Sequence, residues 1–488
     1  MQSSVKAYLN PRNLLWLMLA LVLVRLLLAY FLPIADTTEA RYGEIARKIL
    51  ERQDWIVLWH GDEDPFWGKP PLAFWLSAIS MALFGVNEFA ARLPAFILSL
   101  GTIALVMHFA AIQKRQLDYA LTSGLVLFSS LLFFLFSATV MTDIALIFCI
   151  TLSQISFWYA MTDKGRVWRY VFFAGLGFGL LAKGPLAVVL VGFPIFFWVL
   201  IRNQWLMLWK KLPWITGTLL AAFIAVPWYV MAEQQSPGFL NYFIIGEHFG
   251  RFLDAGWEGD RYGWAHETAR GAIWEYFLLA ILPWCLGLLR LSKSRQVLSQ
   301  VLPKAKQHIQ DDWLFYVFLW MLASLLFFTL SRNIILPYVL PALPPAALLL
   351  TEYLYSENEK FRRILVLLGS GLTLVLGVVL LVALTMPSTL SKFNTYKPVV
   401  QLLKTEDYNR LYIWQKRNFS AEFYTGNKVQ YVADSTALQQ LINQQQPFYL
   451  VVREKELAQL GQVREQLTSW LNLKVDGKAH VILTYKVN

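Results

Sequence analysis

Charge is what this sequence has least of. Asp, Glu, Lys and Arg make up 15% of its 488 residues, against about 25% in an ordinary soluble domain. The shortfall runs along most of the chain, which excludes a water-surrounded globule and calls for apolar surface facing lipid. Cysteine is nearly absent. Cys149 and Cys285 are the only two, both inside apolar stretches with no CxxC or Cys/His cluster. That excludes a disulfide scaffold and a thiolate metal site, and leaves two thiols acting as small hydrophobes. There is no P-loop and no GxGxxG turn, so no nucleotide-phosphate cradle. Internal repeats and low-complexity linkers are missing too, and so is a cleavable leader. The first apolar run, 14–32, is long enough to cross a bilayer and lacks a small-residue cleavage site, so it is expected to remain as an anchor.

What is present is apolar and aromatic: 57% hydrophobic residues and 15% Phe, Trp and Tyr. Reading about 20 apolar residues per crossing predicts a multi-pass α-helical membrane protein with about eleven spans. They fall near 14–32, 93–112, 119–139, 143–161, 170–182, 185–201, 213–231, 271–289, 313–330, 338–352 and 364–385. The net charge of +11 fits Lys and Arg gathered in cytoplasmic loops rather than a nucleic-acid surface. With the N-terminus (Lys6, Arg12) inside, every inner loop is basic. These loops carry Lys114 and Arg115; Lys164, Arg166 and Arg169; Arg202, Lys210 and Lys211; Arg290, Lys293, Arg295, Lys304 and Lys306; and Lys360, Arg362 and Arg363.

The outer side then receives two long loops, 33–92 and 232–270, and the tail. Residues 1–386 form the membrane domain and 387–488 a small α/β domain. In the tail "NRLYIW", "VQYVAD", "PFYLVVREKE" and "HVILTYKV" read as strands, and "STALQQLINQQQ" and "KELAQLGQVREQLTSWL" as helices.

Ionisable residues recur on that outer side: Asp36, Glu39 and Arg41 in "PIADTTEARYGEIARKIL", Lys69 in "PFWGKPPLAFW", Asp143 in "VMTDIAL", Lys183 in "LLAKGPLAV", His248 and Arg251 in "GEHFGRF", and Arg332 and Tyr338 in "SRNIILPYVLP". Taken singly, each has a bland explanation. Lys and Arg at span ends snorkel, Asp143 suits a helix N-cap, and a lone histidine is usually structural. Glu44, Arg47 and Lys48 read as the wet face of an interfacial helix that turns Tyr42, Ile45, Ala46 and Ile49 inward. Pro70 and Pro71 open a helix. Charges at a membrane edge are costly unless paired, hydrated or used on a ligand. Several segments converging on one face therefore predict a polar cavity, with cations to hold a phosphate and carboxylates to take a proton. A phosphate leaving group at the bilayer surface points to a lipid-linked donor.

At these residues the sequence resembles the aminoarabinose-transferase-like proteins of the protein-mannosyltransferase superfamily, glycosyltransferase family 39, which have the GT-C fold. "TEARYGEIARKILERQDWIVLWHGDEDPFWGKPPLAFW" is similar to their first periplasmic loop. "LLAKGP", "EHFGRF" and "SRNIILPYVLPALPPAALLL" follow in the family's order, so the likeness runs through about residue 350. The resemblance implies transfer of a sugar, 4-amino-4-deoxy-L-arabinose or a related one, from undecaprenyl phosphate. The acceptor would be lipid A or another envelope glycan or protein at the outer face of the inner membrane. It places Lys69, Arg251 and Tyr338 on the donor phosphate, with Arg41, Tyr42, Lys183, His248 and Arg332 around the substrate, and makes Asp143 the second acidic position. The family's Asp-Glu-x-Arg-Tyr is Thr38-Glu39-Ala40-Arg41-Tyr42 here. Asp36 and Glu39, three apart, both remain candidate bases, with Asp36 preferred. The family's Glu-Lys-Pro is Gly68-Lys69-Pro70, which leaves sugar and acceptor open. No cofactor is required by the sequence. A divalent metal is compatible with it, with His248 as candidate ligand. A transporter or flippase for a lipid-linked anion is the alternative from another class. Such proteins place charges near the bilayer midplane and often repeat their halves. An envelope ligase using the same architecture is a third reading.

Overall fold

The structure, a computed structural model, describes residues 10–254, 256–263, 266–286 and 310–486. Lys6 and the basic loop from Arg290 to Lys306 lie outside the described residues, as does the end of the segment expected at 271–289.

Seven described helices are long and apolar enough to cross a membrane: Pro11–Phe31, Glu88–Lys114, Thr142–Met161, Pro185–Arg202, Trp214–Gln235, Asp312–Thr329 and Glu359–Leu384. Their starts are written in the sequence. Asn10, Asn87, Asp311 and Asn358 each accept a main-chain N–H of the first turn, as short polar side chains do at an N-cap. Val167–Lys183, Leu117–Ser129 and Leu72–Phe84 are shorter apolar helices. Pro71 sits at the N-cap of the last of these.

Two expected spans are not continuous. The stretch 119–139 breaks at Ser130, where the backbone turns extended between Leu117–Ser129 and Leu131–Phe136. Ser129 and Ser130 turn their hydroxyls back onto the carbonyls of Leu125 and Val126, a local bond that competes with helix propagation. The buried Arg25 of the first helix donates to the carbonyls of Phe134 and Leu135 at 2.7 and 2.8 Å, satisfying helix-end acceptors. The stretch 338–352 is a 3-10 turn, Leu336–Ala342, running into the helix Leu343–Ser356. Pro337, Pro341, Pro344 and Pro345 remove the donors a single helix would need there.

The short loops expected on one side do meet at one end of the bundle. Lys114 pairs with Glu352 at 2.8 Å, Arg202 with Asp312 at 2.7 Å, and Lys211 with Asp163. The helix Glu88–Lys114, 27 residues long and so about 40 Å from end to end, separates that end from Arg92 and the polar cavity.

The tail forms a five-stranded sheet: β1 (Leu411–Trp414), β2 (Gln430–Val432), β3 (Phe448–Arg453), β4 (Thr468–Val475) and β5 (Lys478–Tyr485). The order is β2-β1-β3-β5-β4, with β1 parallel to β2 and β3, and β5 antiparallel to β3 and β4. β4 was expected to be the end of a helix. Gly461, at φ 59°, interrupts the 3-10 run Glu454–Gln466, and "TSWLNLKV" then pairs with β5 across a two-residue Asp476-Gly477 turn, the residue pair a tight hairpin prefers.

The largest departure is the helix Thr38–Arg52. Its supposed wet face is buried: Glu44 is 0%, Lys48 1% and Arg47 8% exposed. The helix Phe419–Thr425 of the tail domain lies against it, with Phe423 packed in one cluster with Ile34, Tyr42, Ile45 and Phe66. The charges are tolerated there because they pair. Arg47 binds Glu44 at 2.7 and 2.8 Å and Glu51 at 2.8 Å, and Lys48 reaches Asp62 at 3.4 Å. A surface that sequence reads as wet is thus an interface between the first loop and the tail.

Candidate active site

Where the bundle meets the two long loops it encloses a cavity of about 730 Å³, with a smaller recess of about 70 Å³ beside it that shares Lys69, Lys183, Glu247, Arg251 and Tyr338. Six separate segments supply the polar lining, one of them the second long loop with Glu247, Arg251, Asp260 and Tyr262. The lead-in to the helix Thr38–Arg52 brings Asp36, and the helix itself Glu39, Arg41 and Tyr42. The turn before Leu72–Phe84 brings Lys69. The first turn of Thr142–Met161 brings Asp143. The last residue of Val167–Lys183 brings Lys183. The 3-10 turn Leu336–Ala342 brings Tyr338.

Lys183 is set in place by its neighbour. Gly184 takes φ 73°, ending one helix, and Pro185 begins the next. A Cβ at 184 would come 2.7 Å from the Phe243 ring, so only glycine allows both the turn and the close approach. The Lys183 ammonium then lies 2.5 Å from Asp143 Oδ1 and 4.6 Å from the Tyr338 ring centroid. Asp143 is therefore a partner of Lys183, one residue inside its helix rather than at the N-cap.

Lys69 donates to Glu247 at 2.8 Å. Burial alone would pull the ammonium's pKa down, but the Glu247 carboxylate holds it above its usual range. Burial likewise opposes ionisation of Glu247, and Lys69 and Arg251 together keep its pKa below normal. Arg251 Nη1 lies 3.4 Å from both Glu247 and Asp260. Glu247 is a residue the sequence reading passed over, although it stands inside "GEHFGRF". The spacing of four between Glu247 and Arg251 was the available signal. Asp260 and Tyr262, which also line the cavity, gave no signal. Tyr262 donates to the Pro65 carbonyl at 2.6 Å and accepts from Trp67 N at 2.9 Å, tying the second long loop to the first.

Two guanidinium groups are left partly unused. Nε of Arg251 and Nε of Arg41 are buried without a hydrogen-bond partner among the described residues. Arg41 also bonds the Tyr262 carbonyl through Nη1, and its guanidinium lies 5.5 Å from the Tyr42 ring centroid. Buried unpaired donors cost free energy, and both guanidinium groups belong to residues of the cavity lining.

The two candidate bases differ sharply. Glu39 is held in a fork by Arg92 at 2.7 and 2.8 Å and accepts Val140 N at 3.3 Å. Arg92 in turn donates to the carbonyls of Ala29, Leu32 and Pro33 at the end of the first span. Asp36 precedes the helix, which starts at Thr38, so the two do not share a helical face although both line the cavity. The Asp36 carboxylate accepts Ser420 N at 3.2 and 3.3 Å. Burial is the main influence on it and raises its pKa to about 6, against the pull of those hydrogen bonds.

Two expectations need correction. Arg332 does not line the cavity. Its side chain is half exposed and 4.0 Å from Glu267, while its main chain pairs with Thr268 and its neighbours from Ile334 to Tyr338 form the wall. His248 belongs to no cluster of three metal-ligating side chains among the described residues. Its ring nitrogens lie 2.8 Å from the Phe243 carbonyl and 3.2 Å from the Lys183 carbonyl, so it ties the second loop to the Lys183 turn. Among the described residues no cluster of three His, Cys, Asp or Glu side chains could hold a metal ion.

Comparison with known proteins gives these residues a context. The family model of dolichyl-phosphate-mannose-protein mannosyltransferases matches residues 15–243. Over 348 residues the chain is 28% identical to the undecaprenyl phosphate-alpha-4-amino-4-deoxy-L-arabinose arabinosyl transferase of Enterobacter sp. (strain 638), covering 69% of this chain and 58% of that one. The protein of the same name in Yersinia enterocolitica is 26% identical over 379 residues, covering 75% and 64%. The match thus spans less than two thirds of either relative's length. Among solved structures, ArnT from Cupriavidus metallidurans bound to undecaprenyl phosphate superposes with a TM-score of 0.74 at 18% identity, over 96% of this chain and 97% of that one. The likeness is one of fold, and it bears out the GT-C architecture with its small tail domain.

Proposed function

We propose that this chain, a member of the aminoarabinose-transferase-like branch of the protein-mannosyltransferase superfamily, transfers a sugar from undecaprenyl phosphate to an acceptor at the outer face of the bacterial inner membrane. The observation that carries this reading is the cation cluster with unsatisfied donors at one end of the bundle. Lys69 and Arg251 are held by the Glu247 carboxylate, and Arg251 by Asp260 as well, whereas Arg41 has no carboxylate partner among the described residues. A phosphodiester donor carries one negative charge, and the departing lipid phosphate gains more. Fixed cations aimed at that growing charge lower the barrier to its departure. The guanidinium groups of Arg41 and Arg251, both in the cavity lining, are the donors a phosphate oxygen would engage.

Asp36 is the base in this scheme. The acceptor oxygen attacks the anomeric carbon, and its proton passes to Asp36. The bond from that carbon to the phosphate oxygen breaks, and the electron pair leaves with the lipid phosphate. A single displacement of this kind inverts the anomeric centre. Glu39, with both oxygens on Arg92, is the poorer acceptor of a proton. Tyr338, stacked 4.7 Å from Phe328 and over Lys183, and Tyr42 would wall the phosphate subsite.

The basic residues gathered at the opposite end of the bundle support a cytoplasmic placement for that end, and so a periplasmic one for the cavity and the tail domain. No step in this scheme calls for a metal. The names of the relatives make 4-amino-4-deoxy-L-arabinose the first sugar to seek, and the family resemblance makes lipid A the first acceptor. Mass spectrometry of envelope lipids and glycoproteins from cells with and without the gene tests the reading and identifies both. A new sugar mass that disappears with Asp36→Asn is the expected result. A donor that crosses the membrane unconsumed would instead establish a flippase.

A further inference from the structure

The tail domain hydrogen-bonds a residue of the cavity wall, and that residue is the proposed base. Three contacts from the tail hold the segment that carries Asp36. Ile34 N donates to the Tyr424 hydroxyl at 2.8 Å, Asp36 N donates to the Asn394 carbonyl at 2.7 Å, and Ser420 N donates to both oxygens of the Asp36 carboxylate. Ser420 is itself fixed. Its hydroxyl accepts Tyr396 N at 2.9 Å and donates to Asn418 at 2.9 Å, and the residue is fully buried. Among the described residues no lysine or arginine pairs with Asp36, so its orientation is set from the tail and not by a cation.

We infer that the tail domain is a working part of the catalytic site, with the Ser420 main-chain N–H as the positioning donor that aims the Asp36 carboxylate into the cavity. The inference rests on Asp36 being the base. A donor that belongs to a main chain cannot be read from side-chain patterns, which is why the tail looks like a detached module in the sequence. The titratable groups around Asp36 are Glu422 on the helix of Ser420 and Tyr396 on the preceding segment, with Glu39 and Arg41 on the helix that follows it.

The test replaces the Ser420 amide by an ester in the full-length protein, using the α-hydroxy analogue of serine, which removes the N–H and leaves the side chain. Ser420→Pro is its genetic counterpart. Product is read by mass in membranes containing their native lipids, between pH 5.5 and 8, and binding is read separately with undecaprenyl phosphate as probe. Losing a hydrogen bond to a carboxylate raises its proton affinity, so the acid limb of the rate profile should move up by about one pH unit. The rate at pH 6.5 should fall about threefold, with undecaprenyl phosphate binding unchanged. An ester variant with the wild-type profile overturns the inference while Asp36→Asn, if inactive, preserves the base assignment. An active Asp36→Asn, or wild-type membranes without product, removes that assignment and the inference together. If Ser420→Pro does not fold, the ester variant decides.

Discussion

Lys69 and Glu247 are 178 residues apart in sequence and 2.8 Å apart in the structure. The contact is productive only if an anion can join it, because a buried pair by itself adds little stability. Lys69→Ala is expected to lower kcat/KM by about a hundredfold or more and also to destabilise the fold, since Glu247 is left as an unpaired buried charge. The double variant Lys69→Met, Glu247→Gln should recover the thermal stability but not the activity. Recovery of both would mean that Lys69 serves the fold alone. Asp36 makes the opposite trade. Its pKa in the folded state, about 6, lies above the ordinary 3.8, so folding binds a proton in the interval between them. The folded state is therefore disfavoured as pH rises through that window. Asp36→Asn should raise Tm at pH 7.5, with the gain fading below about pH 5. The wild-type rate should fall on the acid side with a midpoint near 6. A variant no more stable than wild type at pH 7.5 would contradict the buried, uncompensated carboxylate.

At the scale of elements, the helix ends do the positioning. The Lys183 turn depends on Gly184 at φ 73° with Phe243 behind it. Gly184→Ala adds strain at a left-handed position and a clash with the ring. It should cost about 1–3 kcal/mol in stability and reduce turnover by displacing Lys183 from Asp143, as measured by thermal unfolding and product formation. A variant with normal turnover would show that the turn can shift without consequence. The helix Thr38–Arg52 illustrates what periodicity can and cannot give. Its existence and its apolar face were legible, because Tyr42, Ile45, Ala46 and Ile49 recur at helical spacing. The fate of its polar face was not, because a paired charge under a domain and a charge in water look the same in one dimension.

For the whole molecule, the tail and the first loop should behave as one stability unit. Arg417 donates to Glu422 at 2.7 and 2.9 Å and to the His60 carbonyl of the first loop, and Glu422 is 2% exposed. Arg417→Ala leaves that carboxylate unpaired. Allowing for the partial exposure of the arginine, this should cost about 2 kcal/mol and loosen both sides at once. Hydrogen exchange should then rise in residues 38–52 as well as in 411–432. Faster exchange confined to the tail would show two independent units.

The membrane class, the position of most spans, the basic end of the bundle and eight of the cavity's ionisable residues (Asp36, Glu39, Arg41, Lys69, Asp143, Lys183, Arg251 and Tyr338) were determined by sequence alone. The physical reason is that lipid imposes long apolar runs and makes every stray charge conspicuous. Tertiary structure decided the pairings: Glu39 with Arg92, Lys69 with Glu247, Asp36 with the amide of Ser420, and Arg332 outside the wall. A hydrogen bond depends on distance and direction between segments hundreds of residues apart, and neither quantity is carried by the order of residues along the chain.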